Sequence, residues 1–262
     1  MTETATNTGR FVWYDLMTKD LEQSKTFYNE LFGWTTKPQD MGAMGTYHML
    51  HAGEMPIGGM VVLEGPETAE VPAHWMPYVQ TEDIEACLGR STSGGGQTCV
   101  PVTQIPGTGS FAVITDPAGG AISPFQGAAE HRQPLPDVPP AGTFSWCELH
   151  ADDPEAAMTF YGETFGWKFK SHDMGPMGTY TVITVGDKEV GGIMQRPPGT
   201  PGRQGWMPYV TVKDVDADTV KAGELGGTVI VPPQDIPGVG RFSIVQDPGG
   251  AVFALYLDAH GR

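Results

Sequence analysis

Apolar positions follow two alternating periods along this chain. Between 20 and 32, Leu21, Ser24, Phe27, Tyr28 and Leu31 recur at i, i+3 and i+4, which predicts a helix with one buried stripe. An Asp, then an apolar residue or Pro, then an acid opens this stretch and three others. The triplets are Asp20-Leu21-Glu22, Asp83-Ile84-Glu85, Asp153-Pro154-Glu155 and Asp214-Val215-Asp216. An Asp at the N-cap accepts backbone N–H bonds, and the following acid sits at the positive end of the helix. Pro154 suits the first helical position, where a missing N–H costs nothing. After each helix the pattern changes to short strand-like runs separated by turn residues. In the first quarter these are Trp34–Pro38, Tyr47–His51 and Ile57–Leu63, split by MGAMG and AGEMP. In the second they are Thr98–Gln104, Ser110–Thr115 and Ala121–Gln126, split by PGTG and DPAGG. The predicted unit is strand–helix–strand–strand–strand, occurring four times. A twisted sheet of this kind with one helix is open on its concave side, and two units side by side give a cupped half-barrel with a cavity between them.

The four units form two homologous halves. WYDL (13–16) returns as WCEL (146–149), TFY (26–28) as TFY (159–161), and DMGAMGTY (40–47) as DMGPMGTY (173–180), each 133 positions on. The offset then becomes 131, and WMPYV (75–79) meets WMPYV (206–210), while DPAGG (116–120) meets DPGGA (247–251). The expected organisation is a polar tail over 1–9, a first domain over 10–126 and a second over 143–258. The modules lie at about 10–63, 74–126, 143–195 and 205–258. The segment 127–142, GAAEHRQPLPDVPPAG, reads as a linker because its prolines block both helix and central strand.

Composition narrows the function. The 262 residues include 36 Gly and 23 Pro, in keeping with many short strands and tight turns. A formal net charge of -16 argues against nucleic acid and anionic membranes as partners, since both reward basic surfaces. The first ten residues are polar and carry no secretory signal, and no apolar run approaches the ~18 residues of a membrane span. A cytoplasmic protein is expected, either a monomer or a homodimer. Cys87, Cys99 and Cys147 are odd in number and widely spaced, so they read as three buried thiols.

The repeated strand–helix–strand–strand–strand unit, the TFY…LFGW helix end and the DPxG turn before a final strand resemble the vicinal oxygen chelate superfamily. It includes glyoxalases, bleomycin resistance proteins and extradiol dioxygenases. The two-domain form is similar to actinobacterial proteins described as glyoxalase-like or hydroxylase. The resemblance implies an α+β fold of two tandem domains, each a pair of βαβββ modules. In the metal-using members it also implies ligands on the first strand of each module and on the last strand of the even ones. Those positions hold Trp13, Met76, Trp146, Met207, Ser123 and Ala254 here. None of these offers the imidazole, carboxylate or thiolate that a divalent ion wants. No metal and no other cofactor is therefore expected.

Other chemistry stands beside those positions. Alternation puts Asp15 on the same face as Trp13, and Glu148 and His150 on the same face as Trp146. A carboxylate on an otherwise apolar strand is a candidate general acid or base, or a structural group satisfying nearby donors. Asp15, His74 and Glu148 are the catalytic candidates. His74 alternates with Met76 and Tyr78 and has Gly205 as its counterpart. Trp13, Tyr47, Met76, Tyr78, Phe125, Trp146, His150, Tyr180, Met207, Tyr209 and Tyr256 form the candidate wall for a small, apolar or aromatic ligand. The Pro inside the run Ser123-Pro124-Phe125 predicts a locally broken last strand in the first half. The first cavity is therefore expected to be the wider and more functional one. Three functions compete: a metal-independent enzyme moving protons on a small molecule, a protein that sequesters a drug or metabolite, and a metal-dependent glyoxalase or dioxygenase whose ligands lie elsewhere.

Overall fold

Each acid triplet opens a helix, and each leading Asp caps it. The helices are α1 (Leu21–Phe32), α2 (Ile84–Ser93), α3 (Pro154–Phe165) and α4 (Val215–Glu224). Asp20, Asp83, Asp153 and Asp214 accept hydrogen bonds from the backbone N–H of Gln23, Ala86, Ala156 and Ala217. The buried face of α1 is Ser24, Phe27, Tyr28 and Leu31; Leu21, expected among them, is half-buried. These features come from a computed structural model that describes residues 7–128, 139–175, 178–200 and 203–259. Most of the expected linker, and the first six residues of the tail, lie outside the described residues.

Among the described residues, sixteen strands form two eight-stranded sheets, each following one half of the sequence. The first half contributes β1 (Phe11–Thr18), β2 (Thr35–Asp40), β3 (Thr46–Ala52), β4 (Met55–Val62), β5 (His74–Gln80), β6 (Gln97–Ile105), β7 (Gly109–Thr115) and β8 (Ala121–Gly127). Their order across the sheet is β2-β3-β4-β1-β5-β8-β7-β6. The second half repeats this with β9 (Phe144–Ala151), β10 (Lys168–Asp173), β11 (Thr179–Val185), β12 (Lys188–Gln195), β13 (Gly205–Thr211), β14 (Thr228–Ile236), β15 (Gly240–Gln246) and β16 (Val252–Asp258). These are the tandem βαβββ modules that the repeat predicted.

The described residues gather into two compact units, and each draws on both sequence halves. One takes in β1 as far as Trp13, the chain from Pro77 through the second module, and Trp146–Trp206. The other takes in Tyr14–Met76, the approach to Ser145, and the chain from Met207. The repeated motifs meet inside each unit. In one, Trp206 Nε1 donates to Tyr161 Oη, which donates to Asp116. In the other, Trp75 Nε1 donates to Tyr28 Oη, which donates to Asp247. The Tyr of each TFY, the Trp of each WMPYV and the Asp of each DPxG turn are thus one buried relay. Burial, with the nearby aspartate second, pushes both tyrosines well above the usual phenol range. They therefore remain donors.

One expectation is met in part and one needs correction. The last strand of the first half is broken at Pro124 on one side only. Its parallel neighbour holds it in register through Tyr78↔Ser123, Val79↔Pro124 and Gln80↔Phe125. On the other side, the pairing with β7 lapses only between Phe125 and Ile122. There Ser123 Oγ donates to the Ala112 carbonyl at 2.7 Å, supplying the donor that the proline lacks. The thiols are not all buried. Cys87 and Cys147 are, but Cys99 is exposed because β6 lies at the edge of its sheet.

Candidate functional site

On β9, Cys147 and Leu149 are fully buried on one face, and Trp146, Glu148 and His150 take the other. The parallel neighbour β12 sets Gly192 against Glu148 and Met194 against His150. Tyr180, near the start of β11, brings its ring across Gly192. A methyl group at that position would overlap the phenol oxygen. From there Tyr180 hydrogen bonds to Glu148, while Trp146 Nε1 donates to Tyr180 Oη at 2.9 Å. His150 Nε2 lies 2.7 Å from Glu148 Oε1. A carboxylate only accepts, so Nε2 carries a proton, and in the neutral tautomer with this bond the lone pair is on Nδ1. Glu148 is 4% exposed, and its partners supply what a buried carboxylate needs. Burial, then the charge of Glu148, pushes the Tyr180 phenol well above its usual range.

The first half repeats part of this. Asp15 is 3% exposed and faces Gly59 across the β1–β4 pair. Tyr47 crosses Gly59 and donates to Asp15 Oδ1 at 2.6 Å. Met17 occupies the place that His150 holds in the second half. No imidazole stands at that position.

The remaining candidates are placed as follows. His74 turns Nδ1 onto the Pro72 carbonyl, 2.8 Å away, and burial lowers its pKa, which favours the neutral ring. Met76 and Met207 are buried, as are Tyr78 and Tyr209. Tyr78 meets Phe125 edge-on with ring centres 6.3 Å apart, and Tyr209 meets Tyr256 in the same way at 6.3 Å. Burial, then Asp258, pushes the Tyr256 phenol up to about 12. Trp13 is half-buried on the face that Asp15 shares. Tyr47 and Tyr180, expected as wall residues, are hydrogen-bond partners of the two carboxylates. Gly59 and Gly192 were missed. The doublets Gly58-Gly59 and Gly191-Gly192 inside strand-like runs were their signal, because a glycine within a strand marks close approach of another group.

The ligand positions that the family resemblance implies do not fit a divalent metal. Trp13, Trp146 and Ala254 present carbon or an indole, Met76 and Met207 present thioethers, and Ser123 has its hydroxyl on Ala112. Among the described residues, no three His, Cys, Asp or Glu side chains converge in a metal-holding group. No described helix is long and apolar enough to cross a membrane.

Comparison with known proteins agrees with this architecture. The family model described as the glyoxalase/bleomycin resistance protein/dioxygenase superfamily matches residues 143–255, and a bleomycin resistance protein-like N-terminal model matches 10–45. CFP32 of Mycobacterium tuberculosis, which carries a glyoxylase designation, is 36% identical over 94% of this chain and 94% of its own. The anthracycline biosynthesis protein DnrV of Streptomyces peucetius is 32% identical over 94% of this chain and 92% of its own. Among solved structures, the Mn(II)-bound glyoxalase of Novosphingobium aromaticivorans superposes with a TM-score of 0.61 at 17% identity, over 95% of this chain and 82% of that one. The 2,2',3-trihydroxybiphenyl 1,2-dioxygenase of Sphingomonas wittichii does so at 0.65 and 12%, over 95% and 90%. At such identities the likeness speaks for the fold alone.

Proposed function

The chain belongs to the glyoxalase/bleomycin resistance protein/dioxygenase superfamily, and on that premise we propose that it is a metal-independent enzyme that moves a proton on a small, largely apolar or aromatic molecule. The observation that carries this reading is the pairing of buried Glu148 with half-buried His150 at 2.7 Å. In this scheme His150 Nδ1 takes a proton from an acidic C–H or O–H of the substrate and later returns it. Glu148 holds Nε2–H, fixes the tautomer, and stabilises the imidazolium formed in between. Tyr180 remains protonated and supports the carboxylate. Isomerisation, cyclisation and dehydration each need such a transfer.

The paired aromatic rings Tyr78–Phe125 and Tyr209–Tyr256, with Met76 and Met207 beside them in sequence, support a flat apolar substrate. The likeness to anthracycline biosynthesis proteins supports the same class. Asp15, with Met17 where an imidazole stands in the second half, is read as holding a ligand rather than moving its proton. The reacting centre is thus assigned to the second half, the reverse of what Pro124 suggested. The test is hydrogen exchange. Chelator-treated protein is incubated in D2O with a panel of polycyclic aromatic ketones, and deuterium uptake at the acidic carbon is followed by mass spectrometry. Catalysed exchange supports the reading. Binding without exchange overturns it in favour of sequestration.

A further inference from the structure

We propose that Tyr180 is a positioning residue for the Glu148–His150 pair, and that Gly192 stands where it does because only a hydrogen there lets the phenol reach the carboxylate. This rests on the reading of Glu148 and His150 as a proton-transfer pair and adds two residues to it. Gly192 is absent from the glycines with positive φ. Its backbone is therefore open to any residue, and what it supplies is space. A side chain there meets the oxygen of Tyr180 first and its ring next.

The direction of each hydrogen bond makes the arrangement specific. Trp146 N–H can only donate, so it occupies the oxygen of Tyr180 as an acceptor and leaves the phenol proton for Glu148. His150 donates to the same carboxylate. His150 has Glu148 on its own strand and the uncharged Met194 in register from β12, and Tyr180 of β11 is in register with Met194. A carboxylate held by two donors is more tightly oriented than one held by a single donor. So held, it presents Oε1 to the imidazole N–H. The same device occurs at Tyr47, Gly59 and Asp15. There the acid is shorter by one methylene, yet the phenol still crosses the glycine to reach it. Tyrosine and glycine stay fixed while the acid varies, which is what a dedicated support predicts.

The test reads His150 directly, in the full chain, by long-range proton–nitrogen NMR of 15N-histidine protein, with the signal assigned by His150→Gln. The wild type shows a single Nε2–H tautomer. Tyr180→Phe, which keeps the ring and removes the donor, gives a mixture of tautomers, and Gly192→Ala gives the same mixture. Combining the two changes nothing further, and Gly59→Ala leaves His150 as in the wild type. If Gly192→Ala does not fold, adding Tyr180→Ala vacates the space and restores the fold; a double variant that stays unfolded contradicts the proposal. A His150 that keeps its single tautomer in Tyr180→Phe overturns it outright. None of these readouts depends on turnover, so failure of the support and failure of the proposed reaction are separate results.

Discussion

Tyr47 Oη lies 2.6 Å from Asp15 Oδ1, having crossed Gly59 to reach it, just as Tyr180 crosses Gly192 toward Glu148. What differs is the next residue along the face: Met17 in the first half, His150 in the second. One half therefore holds a carboxylate with a tyrosine, and the other a carboxylate with a tyrosine and an imidazole. If proton transfer resides in the imidazole, His150→Met, which copies the first half, lowers catalysed exchange by about 10²-fold or more. Thermal stability is expected to change little. The check is exchange rate beside a melting curve, and a variant that exchanges like the wild type refutes the assignment.

Gln204 supplies the next prediction. It donates Nε2–H to the buried Asp116 and accepts the Asp152 N–H at 2.9 Å. Its counterpart in the other half is Ala73. Gln204→Ala leaves a buried carboxylate short of one donor and is expected to cost about 2 kcal/mol in urea unfolding. A loss below about 0.5 kcal/mol would mean that Asp116 is satisfied by its turn and Tyr161 alone.

Stability is expected to fall as the solution becomes acidic through the histidine range. Burial lowers the pKa of His74, and burial, then Lys25, lowers that of His48. A base with a depressed folded pKa binds fewer protons folded than unfolded. Its contribution is thus complete above the unfolded value of about 6.5 and is lost as pH falls through the folded one. His74→Gln should flatten the fall in denaturation midpoint between pH 7 and pH 5. An unchanged slope would show that His74 does not contribute.

The thiols give a reading of native packing. Burial pushes Cys87 up to about 11 and places Cys147 well above its ordinary value, while Cys99 is exposed. Iodoacetamide at neutral pH is expected to label Cys99 rapidly and the other two only after unfolding. Peptide mapping that finds Cys147 modified in the folded protein would contradict the packing of β9.

Much of the fold was legible because its signals are local. Four Asp N-caps, turn residues between alternating runs and a repeat at fixed offset each act within a few residues. The carboxylates were legible too, since an acid two residues from a Trp on an apolar strand is conspicuous. Their partners were not. Tyr47 lies 32 residues from Asp15, and the contact depends on register between β3, β4 and β1, which no local pattern carries. Pro124 marked the gap in the ladder but not its repair: the hydroxyl of its neighbour Ser123 donates to the Ala112 carbonyl there, and a side chain serving the backbone across a ladder leaves no periodic trace. Cys99 was misjudged because edge position is a property of the sheet order.

The central claim is that Glu148 and His150 move a proton without a metal, while Asp15 does not. It is tested most directly by comparing Glu148→Gln and Asp15→Asn in chelator-treated protein, measuring deuterium exchange and ligand affinity on the same polycyclic ketone. The account predicts that Glu148→Gln loses exchange by about 10²-fold or more with affinity nearly intact. Asp15→Asn should lose affinity while the bound ligand still exchanges at the wild-type rate. Equal losses in both variants, loss confined to Asp15→Asn, or exchange abolished by chelator in the wild type would contradict it.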